Sequence, residues 1–272
     1  MLNRQAQTND DQEVIAQAFV SARREARALD AYPGPLPLDL AESYRIQGLA
    51  IGLDGRAVAA WKVGRINHPY DAQLGSDRLA GPVFAPAVIA TSAAEPVDMP
   101  VFVGGFAAAE AELLLHVPGS FTGPLPQTNE EVRDIVDAVR IGIEIASSPY
   151  ARINADGPLV TASDFGNNAG LVIGPELAEW RDIDLCAIQV RTEIDGVVVG
   201  EATAATMLDG PFGAVRFLVN NLAARGIDRS GGIWVSTGAI TGVHPIAPGQ
   251  TAVATFGELG KVSCRAVAAK PA

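Results

Sequence analysis

Short runs of period-two alternation limit what this chain can fold into more than any other feature of its sequence. In residues 186–200, Ile188, Val190, Thr192 and Ile194 alternate with Gln189, Arg191 and Glu193, and Asp195-Gly196 follows at the turn. Successive side chains of a strand face opposite sides, and Asp-Gly tolerates the positive φ of a tight hairpin turn, so this segment reads as a β-hairpin. Ile141-Gly142-Ile143-Glu144-Ile145-Ala146 alternates in the same way, residues 101–117 are strand-rich, and Leu171-Val172-Ile173 adds a further strand. Helical spacing is confined to a few segments. Residues 10–29 carry an apolar stripe (Val14, Ile15, Ala18, Phe19, Ala22, Ala26) behind an Asn9/Gln12 capping box. A second helix opens at Asp39, with Glu42 three residues on, and fades at Gly52. A third, over residues 128–140, starts from Thr128 and Glu131, and a fourth spans residues 212–225 and stops at Gly226. Strands in the majority with segregated helices point to an α+β fold rather than a regular βαβ series. The expected division is a smaller N-terminal helical and lid region, 1–95, and a β-rich catalytic domain, 96–272.

Between residues 65 and 96 no period is sustained, and Gly and Pro recur. That is long for an idle connection, so this stretch is expected to serve as a lid or binding loop. With 272 residues, 48% of them hydrophobic, the chain has ample material for one large core. A net charge of -11 argues against non-specific binding of nucleic acid or an anionic membrane. Cys186 and Cys264 lie in apolar-patterned segments without a C-x-x-C partner, so they are expected as buried free thiols of a cytoplasmic protein. Residues 1–11 are polar, without the apolar stretch of a signal peptide, and no run is long enough to span a bilayer.

Three glutamates stand where a core-building sequence would not place them. Glu110 and Glu112 lie in Ala107-Ala108-Ala109-Glu110-Ala111-Glu112-Leu113-Leu114-Leu115, and Glu144 lies between Ile143 and Ile145. Two residues apart on a strand, Glu110 and Glu112 project from one face, their Cα atoms about 6.5–7 Å apart. Glu144 shares its face with Gly142 and Ala146, which is expected to leave room beside the carboxylate. The pair can also mark the solvated face of an amphipathic strand. If the three faces meet, their carboxylates cannot all stay ionised without compensation, and a divalent cation supplies it most simply. Oxygen-only ligands select Mg²⁺, Mn²⁺ or Ca²⁺ over zinc, and an octahedral ion would keep positions for a chelating substrate and a water.

Around these glutamates several motifs follow in order. Trp61-Lys62-Val63-Gly64 and Gln73-Leu74-Gly75-Ser76-Asp77 precede Glu110-x-Glu112 and Ile143-Glu144-Ile145. Ala162-Ser163-Asp164-Phe165-Gly166-Asn167-Asn168-Ala169-Gly170, Ser236-Thr237-Gly238, Pro248-Gly249 and Phe256-Gly257-Glu258-Leu259-Gly260 come after. From about residue 10 to 267 the chain resembles the 2-keto-4-pentenoate hydratase/4-oxalocrotonate decarboxylase group of the fumarylacetoacetate hydrolase superfamily. The resemblance implies a rolled mixed β-sheet with flanking helices, a homo-oligomer, and an Mg²⁺ or Mn²⁺ site that takes a small 2-oxo or 2-hydroxy-dienoic acid. It assigns the metal to Glu110, Glu112 and Glu144.

Other roles follow from that assignment. Three carboxylates with one divalent ion leave one negative charge, and Lys62 brings the sum to zero, so an anionic ligand meets no net repulsion. Lys62 is expected to bind the substrate carboxylate or stabilise an enolate. Asp77 is the candidate proton shuttle. Asp164 and Asn167 are expected to orient Lys62 or touch substrate, as is Gln47. His116 and His244 lack ligand-like spacing and are expected on the surface or in loops, while His68, between Asn67 and Pro69 in the expected lid, is the most interesting of the three histidines. The activity expected is hydration of a 2-hydroxy-2,4-dienoate to a 4-hydroxy-2-oxo acid. Two departures from the family pattern weigh on it: Arg78-Leu79-Ala80-Gly81 replaces a further acid after Asp77, and Asp209-Gly210-Pro211-Phe212 stands where Gly-His-Pro is usual. They keep three rivals in play: a 4-oxalocrotonate-type decarboxylase, an acylpyruvate C–C hydrolase, and a non-catalytic ligand-binding relative.

Overall fold

The computed structural model describes residues 7–91 and 95–272. Residues 1–6, part of the polar start read above as carrying no signal peptide, lie outside the described residues. Helix α1 (Asn9–Arg24) starts one residue earlier than its stripe suggested. Thr8 Oγ1 accepts the Asp11 N–H at 3.1 Å while Asp11 Oδ2 accepts the Thr8 N–H at 2.9 Å, so the capping box is Thr8/Asp11. In α2 (Leu40–Asp54) the Asp39 carboxylate accepts the Glu42 N–H at 2.8 Å, and the helix runs past Gly52 to Gly55, which takes the left-handed φ of 75°. Ile15 and Phe19 of α1 and Ile46 of α2 pack with Phe84, Tyr150 and Phe165 in a core of their own.

Next come β1 (Val58–Arg65), α3 (Tyr70–Leu74), β2 (Arg78–Phe84), β3 (Val88–Ala90), β4 (Val97–Val101) and β5 (Phe106–Val117). Helix α4 (Asn129–Ile135), β6 (Ala138–Ser148), α5 (Pro158–Ser163) and β7 (Asn168–Glu176) follow, then β8 (Gln189–Ile194) and β9 (Val197–Thr203). The chain closes with α6 (Gly210–Ala224), β10 (Ile233–Ser236), β11 (His244–Pro245), β12 (Thr251–Phe256) and β13 (Lys261–Ala268). One sheet is ordered β2-β1-β10-β5-β6-β7-β3, with β11 pairing beside β5; the second is ordered β4-β13-β12-β8-β9. Both are mixed, since β1 runs parallel to β10, β3 to β7 and β4 to β13, while the other pairs are antiparallel. Leu113, Ile143 and Val172 of the first sheet share one core with Val190, Phe256 and Cys264 of the second. Two rolled mixed sheets with flanking helices make the α+β architecture expected.

Several local readings change. The third helix ends at Ile135, and Val139, counted in its stripe, lies instead in β6 and is fully buried in the sheet core. Only part of residues 65–96 is loop, because every residue of β2 is buried and pairs along β1. The first sheet therefore runs across the division expected at residue 95, with β1 and β2 from before it joining β10, β5 and β6 from after it. The 195–196 turn is as read: Asp195 and Gly196 both take positive φ, 50° and 78°. Both cysteines are free, Cys264 buried and Cys186 partly exposed. Among the described residues no helix is long and apolar enough to cross a membrane.

Candidate active site

Antiparallel pairing of β5 with β6 sets Glu110 directly opposite Glu144, and Glu112 opposite Gly142. Cross-strand neighbours have Cβ atoms about 4.5–5.5 Å apart, so register alone brings the carboxylates together. Each glutamate offers an oxygen within 4.8 Å of those of the other two. Glu112 and Glu144 are fully buried and Glu110 is 6% exposed, which removes the solvated-face alternative. The room beside Glu144 does not come from Gly142. A Cβ there would stand 2.4 Å from Leu114 Cδ1, so that space already holds a leucine.

The two deepest carboxylates are held in the same way. Glu112 Oε2 accepts from Ser236 Oγ at 2.5 Å and from the Gly238 N–H at 2.8 Å. Glu144 Oε1 accepts from Asn168 Nδ2 at 2.9 Å and lies 3.3 Å from Lys62 Nζ. Their other oxygens, Glu112 Oε1 and Glu144 Oε2, are buried without a hydrogen-bond partner. Buried carboxylate oxygens left bare are costly, and two at one cluster could hold a cation. Burial pushes the Glu110 carboxyl up to about 7, with Lys62 pulling it down and Glu144 pushing it further up. Burial likewise holds Glu112 well above the ordinary carboxyl range, reinforced by Glu144 and Glu110. A hard divalent cation would relieve all of this, and an all-oxygen donor set suits it.

Lys62 reaches the cluster from β1, where its register partners are Ser236 on β10 and Gly81 on β2. Two glycines make its passage. A Cβ on Gly166 would stand 2.9 Å from Lys62 Cδ, and one on Gly81 would stand 2.0 Å from the Phe165 carbonyl oxygen. Burial works against the charge on Lys62, but Glu144, Glu110 and Glu112 together outweigh it and hold the ammonium above its usual pKa. Above the cluster opens a cavity of about 530 Å³, lined by Lys62, Glu110, Asn167, Thr237, Gly238 and Met207 among others. Asn167 Oδ1 is buried there without a partner.

Of the residues singled out in the sequence, Lys62, Glu110, Glu112, Glu144 and Asn167 converge. Three do not reach the cavity. The Asp77 side chain is 53% exposed and pairs with Arg78, because its backbone carbonyl is tied to the Ile66 N–H and the side chain turns outward. Gln47 spends its amide on the Ala80 and Ala162 carbonyls and on Arg225. Both Asp164 oxygens are taken by Arg23, at 2.7 and 2.9 Å, and one also by Ser148. Sequence reasoning missed the holders of the cluster: Ser236, Gly238 and Asn168 lie in segments it matched, but hydroxyls and amides carry no periodic signal. The two departures from the family pattern meet in space, as Arg78 forms an ion pair with Asp209, which also binds Arg216.

No protein-family model matches the chain. Over 158 residues, 58% of the chain and 59% of the relative, it is 31% identical to 4-oxalocrotonate decarboxylase of Pseudomonas putida. Over 263 residues, 93% of the chain and 97% of the relative, it is 24% identical to 2-oxo-hept-4-ene-1,7-dioate hydratase of Escherichia coli. The chain is thus a homologue of both enzymes. Its match to the decarboxylases spans a little over half of their length. The fold matches 4-oxalocrotonate decarboxylase from Pseudomonas putida G7, complexed with magnesium and adipate, with a TM-score of 0.79 and 23% identity over 97% of this chain and 100% of that one. Fumarylpyruvate hydrolase from Pseudomonas aeruginosa, in complex with Mn²⁺ and pyruvate, matches with a TM-score of 0.57 and 16% identity over 77% and 89% of the chains. The chain thus has the fold of these two enzymes, with a buried carboxylate cluster in a fold whose solved neighbours were crystallised with magnesium and with Mn²⁺.

Proposed function

We propose that this homologue is a divalent-metal-dependent hydratase, adding water to a 2-hydroxy-2,4-dienoate to give a 4-hydroxy-2-oxo acid, with Mg²⁺ or Mn²⁺ held by Glu110, Glu112 and Glu144. The observation that carries this is the pair of bare buried oxygens, Glu112 Oε1 and Glu144 Oε2, beside the Lys62 ammonium at a cavity floor. A bound cation would supply Lewis acidity at the 2-oxo group and keep the dienol flat. Ser236 Oγ–H and the Gly238 N–H fix one oxygen of Glu112, and Asn168 fixes one of Glu144, so the other oxygens would be available to a bound cation with little reorganisation. Lys62 stabilises the negative charge that grows on the substrate's 2-oxygen as the dienol becomes the conjugated ketone. Asn167 Oδ1 accepts a hydrogen bond from the substrate hydroxyl or the incoming water and holds it against the chain. Small-molecule oxo-acids are the partners this site fits.

Decarboxylation of a 4-oxalocrotonate-type acid is the second reading. The outward position of Asp77 favours it, since loss of CO₂ makes a weaker demand for water activation. Purified protein offered 2-hydroxypenta-2,4-dienoate and 4-oxalocrotonate with Mg²⁺ separates the two. Hydration consumes the diene without CO₂, decarboxylation releases CO₂, and chelator abolishes either. Turnover that survives complete chelation contradicts both.

A further inference from the structure

Arg225 is a half-buried cation that the site chemistry leaves unused. It closes α6, with its guanidinium 4.2 Å from the Tyr44 ring centroid and 5.4 Å from that of Trp61. Among the described residues no carboxylate pairs with it, and burial pulls its pKa down to about 10. Its charge is spent on neutral amides instead. Arg225 Nη2 donates to Gln47 Oε1 at 2.7 Å and Nη1 to Asn221 Oδ1 at 3.3 Å. Gln47 is fully buried, and its Nε2 donates to two carbonyls, Ala80 at 2.9 Å and Ala162 at 2.8 Å. That fixes which way the amide points. A guanidinium only donates and a carbonyl only accepts, so the flipped amide would set donor on donor and acceptor on acceptor.

The two carbonyls belong to the two walls of the Lys62 passage. Ala80 precedes Gly81 on β2, the strand at the end of the first sheet, and its N–H donates to Tyr44 Oη at 3.0 Å. Helix α2 therefore answers both backbone polar groups of Ala80, one through Tyr44 and the other through Gln47. Ala162 lies in α5, four residues before Gly166. Gly81 and Gly166 meet backbone to backbone around the lysine stem. A Cβ on Gly166 would stand 3.1 Å from Gly81 Cα and 2.9 Å from Lys62 Cδ. In so close a packing a shift of either wall moves the stem between them, and with it the ammonium that lies 3.3 Å from Glu144 Oε1. We infer that Gln47, oriented by Arg225, is a positioning residue for Lys62: it clamps β2 to α5 and so sets the slot that aims the ammonium at Glu144. Its consequence for turnover rests on the reading of Lys62 as the group that stabilises charge on the substrate's 2-oxygen.

Gln47→Glu tests the clamp, because a carboxylate keeps the size and the Arg225 contact but donates to neither carbonyl. The chain has three lysines, the buried Lys62 and the exposed Lys261 and Lys270, so brief acetylation in Mg²⁺ read by peptide mass spectrometry carries its own controls. In Gln47→Glu, Lys62 is expected to react about tenfold faster than in the unaltered protein, with Lys261 and Lys270 unchanged. Arg225→Met, which lets the amide turn, is expected to raise the Lys62 rate about threefold. Phe256→Leu, a truncation in the core of the second sheet, measures general loosening and is expected to leave Lys62 within about twofold. In turnover of 2-hydroxypenta-2,4-dienoate, Gln47→Glu should lower kcat about tenfold with KM within about twofold. Unchanged Lys62 reactivity in Gln47→Glu overturns the inference, as does an equal rise in Phe256→Leu. Faster labelling with kcat unchanged upholds the clamp and overturns the role given to Lys62 in turnover, so the two failures are told apart.

Discussion

At the residue scale the site depends on which oxygens are tied and which are bare. Glu112 and Glu144 each give one oxygen to protein donors and leave the other buried without one. Replacing Glu144 by Gln removes a metal oxygen and the ion-pair partner of Lys62 together. Mg²⁺ affinity is expected to fall by about 100-fold or more, beyond the 10–100-fold usual for an outer-shell change, and calorimetric titration checks it. Lys62→Met leaves three buried carboxylates without their one ammonium. The metal-free protein should lose on the order of 3 kcal/mol of stability in urea unfolding, and turnover should fall about 100-fold with metal present. Much of this was legible, because glutamates among Ala, Ile and Leu demand an explanation that hydrophobic patterning does not give. Asp77 shows the limit. A motif match placed it near the site in sequence, but the direction of a turn side chain depends on the Ile66–Asp77 backbone bond, which the residue types do not encode.

At the scale of elements, α1 is bound to the site through Arg23. Its guanidinium holds Asp164, donates to the Asn168 carbonyl at 3.0 Å and the Ser147 carbonyl at 3.2 Å, and stacks on Phe102 and Phe165. Asn168 in turn holds Glu144. Arg23→Met strands a fully buried Asp164, at an expected cost of about 3–5 kcal/mol in denaturant unfolding. Pairing it with Asp164→Leu should recover part of that loss, because no bare charge is left; a double-mutant cycle with no coupling would contradict the account. The helix stripe of α1 was readable, but Arg23 fell outside it as an ordinary polar residue, since its hydrogen-bond partners lie more than a hundred positions away. The hairpin β8–β9 was readable for the opposite reason, being fixed by local alternation and its Asp195-Gly196 turn. The third helix was overextended because Val139 fits a helical stripe and a buried strand equally well.

At the scale of the whole molecule, folding and metal binding are coupled through the buried carboxyls. Glu110, raised to about 7, keeps its proton well above the usual carboxyl range in the metal-free fold, so protons compete with the cation. Metal affinity is therefore expected to rise as the pH is raised through about 7, with protons released on binding, measurable by titration in buffers of different ionisation enthalpy. The sign for stability is the reverse. A carboxyl whose pKa is raised by folding stabilises the metal-free protein fully below its unfolded value of 4.5, and that contribution is lost as the pH climbs through about 7. The metal-loaded protein should not show this decline, and thermal unfolding with and without Mg²⁺ across that range compares them. The α+β class was legible from alternation alone. The crossing of residue 95 by the first sheet was not, because the parallel pairing of β1 with β10 joins segments some 170 residues apart with no local signal.

Anomalous diffraction from crystals grown with Mn²⁺ tests the central claim most directly. The account predicts one strong peak per chain at about 2.0–2.2 Å from an oxygen of each of Glu110, Glu112 and Glu144. A peak bound elsewhere, or saturating Mn²⁺ that leaves Glu112 Oε1 and Glu144 Oε2 bare, would contradict it.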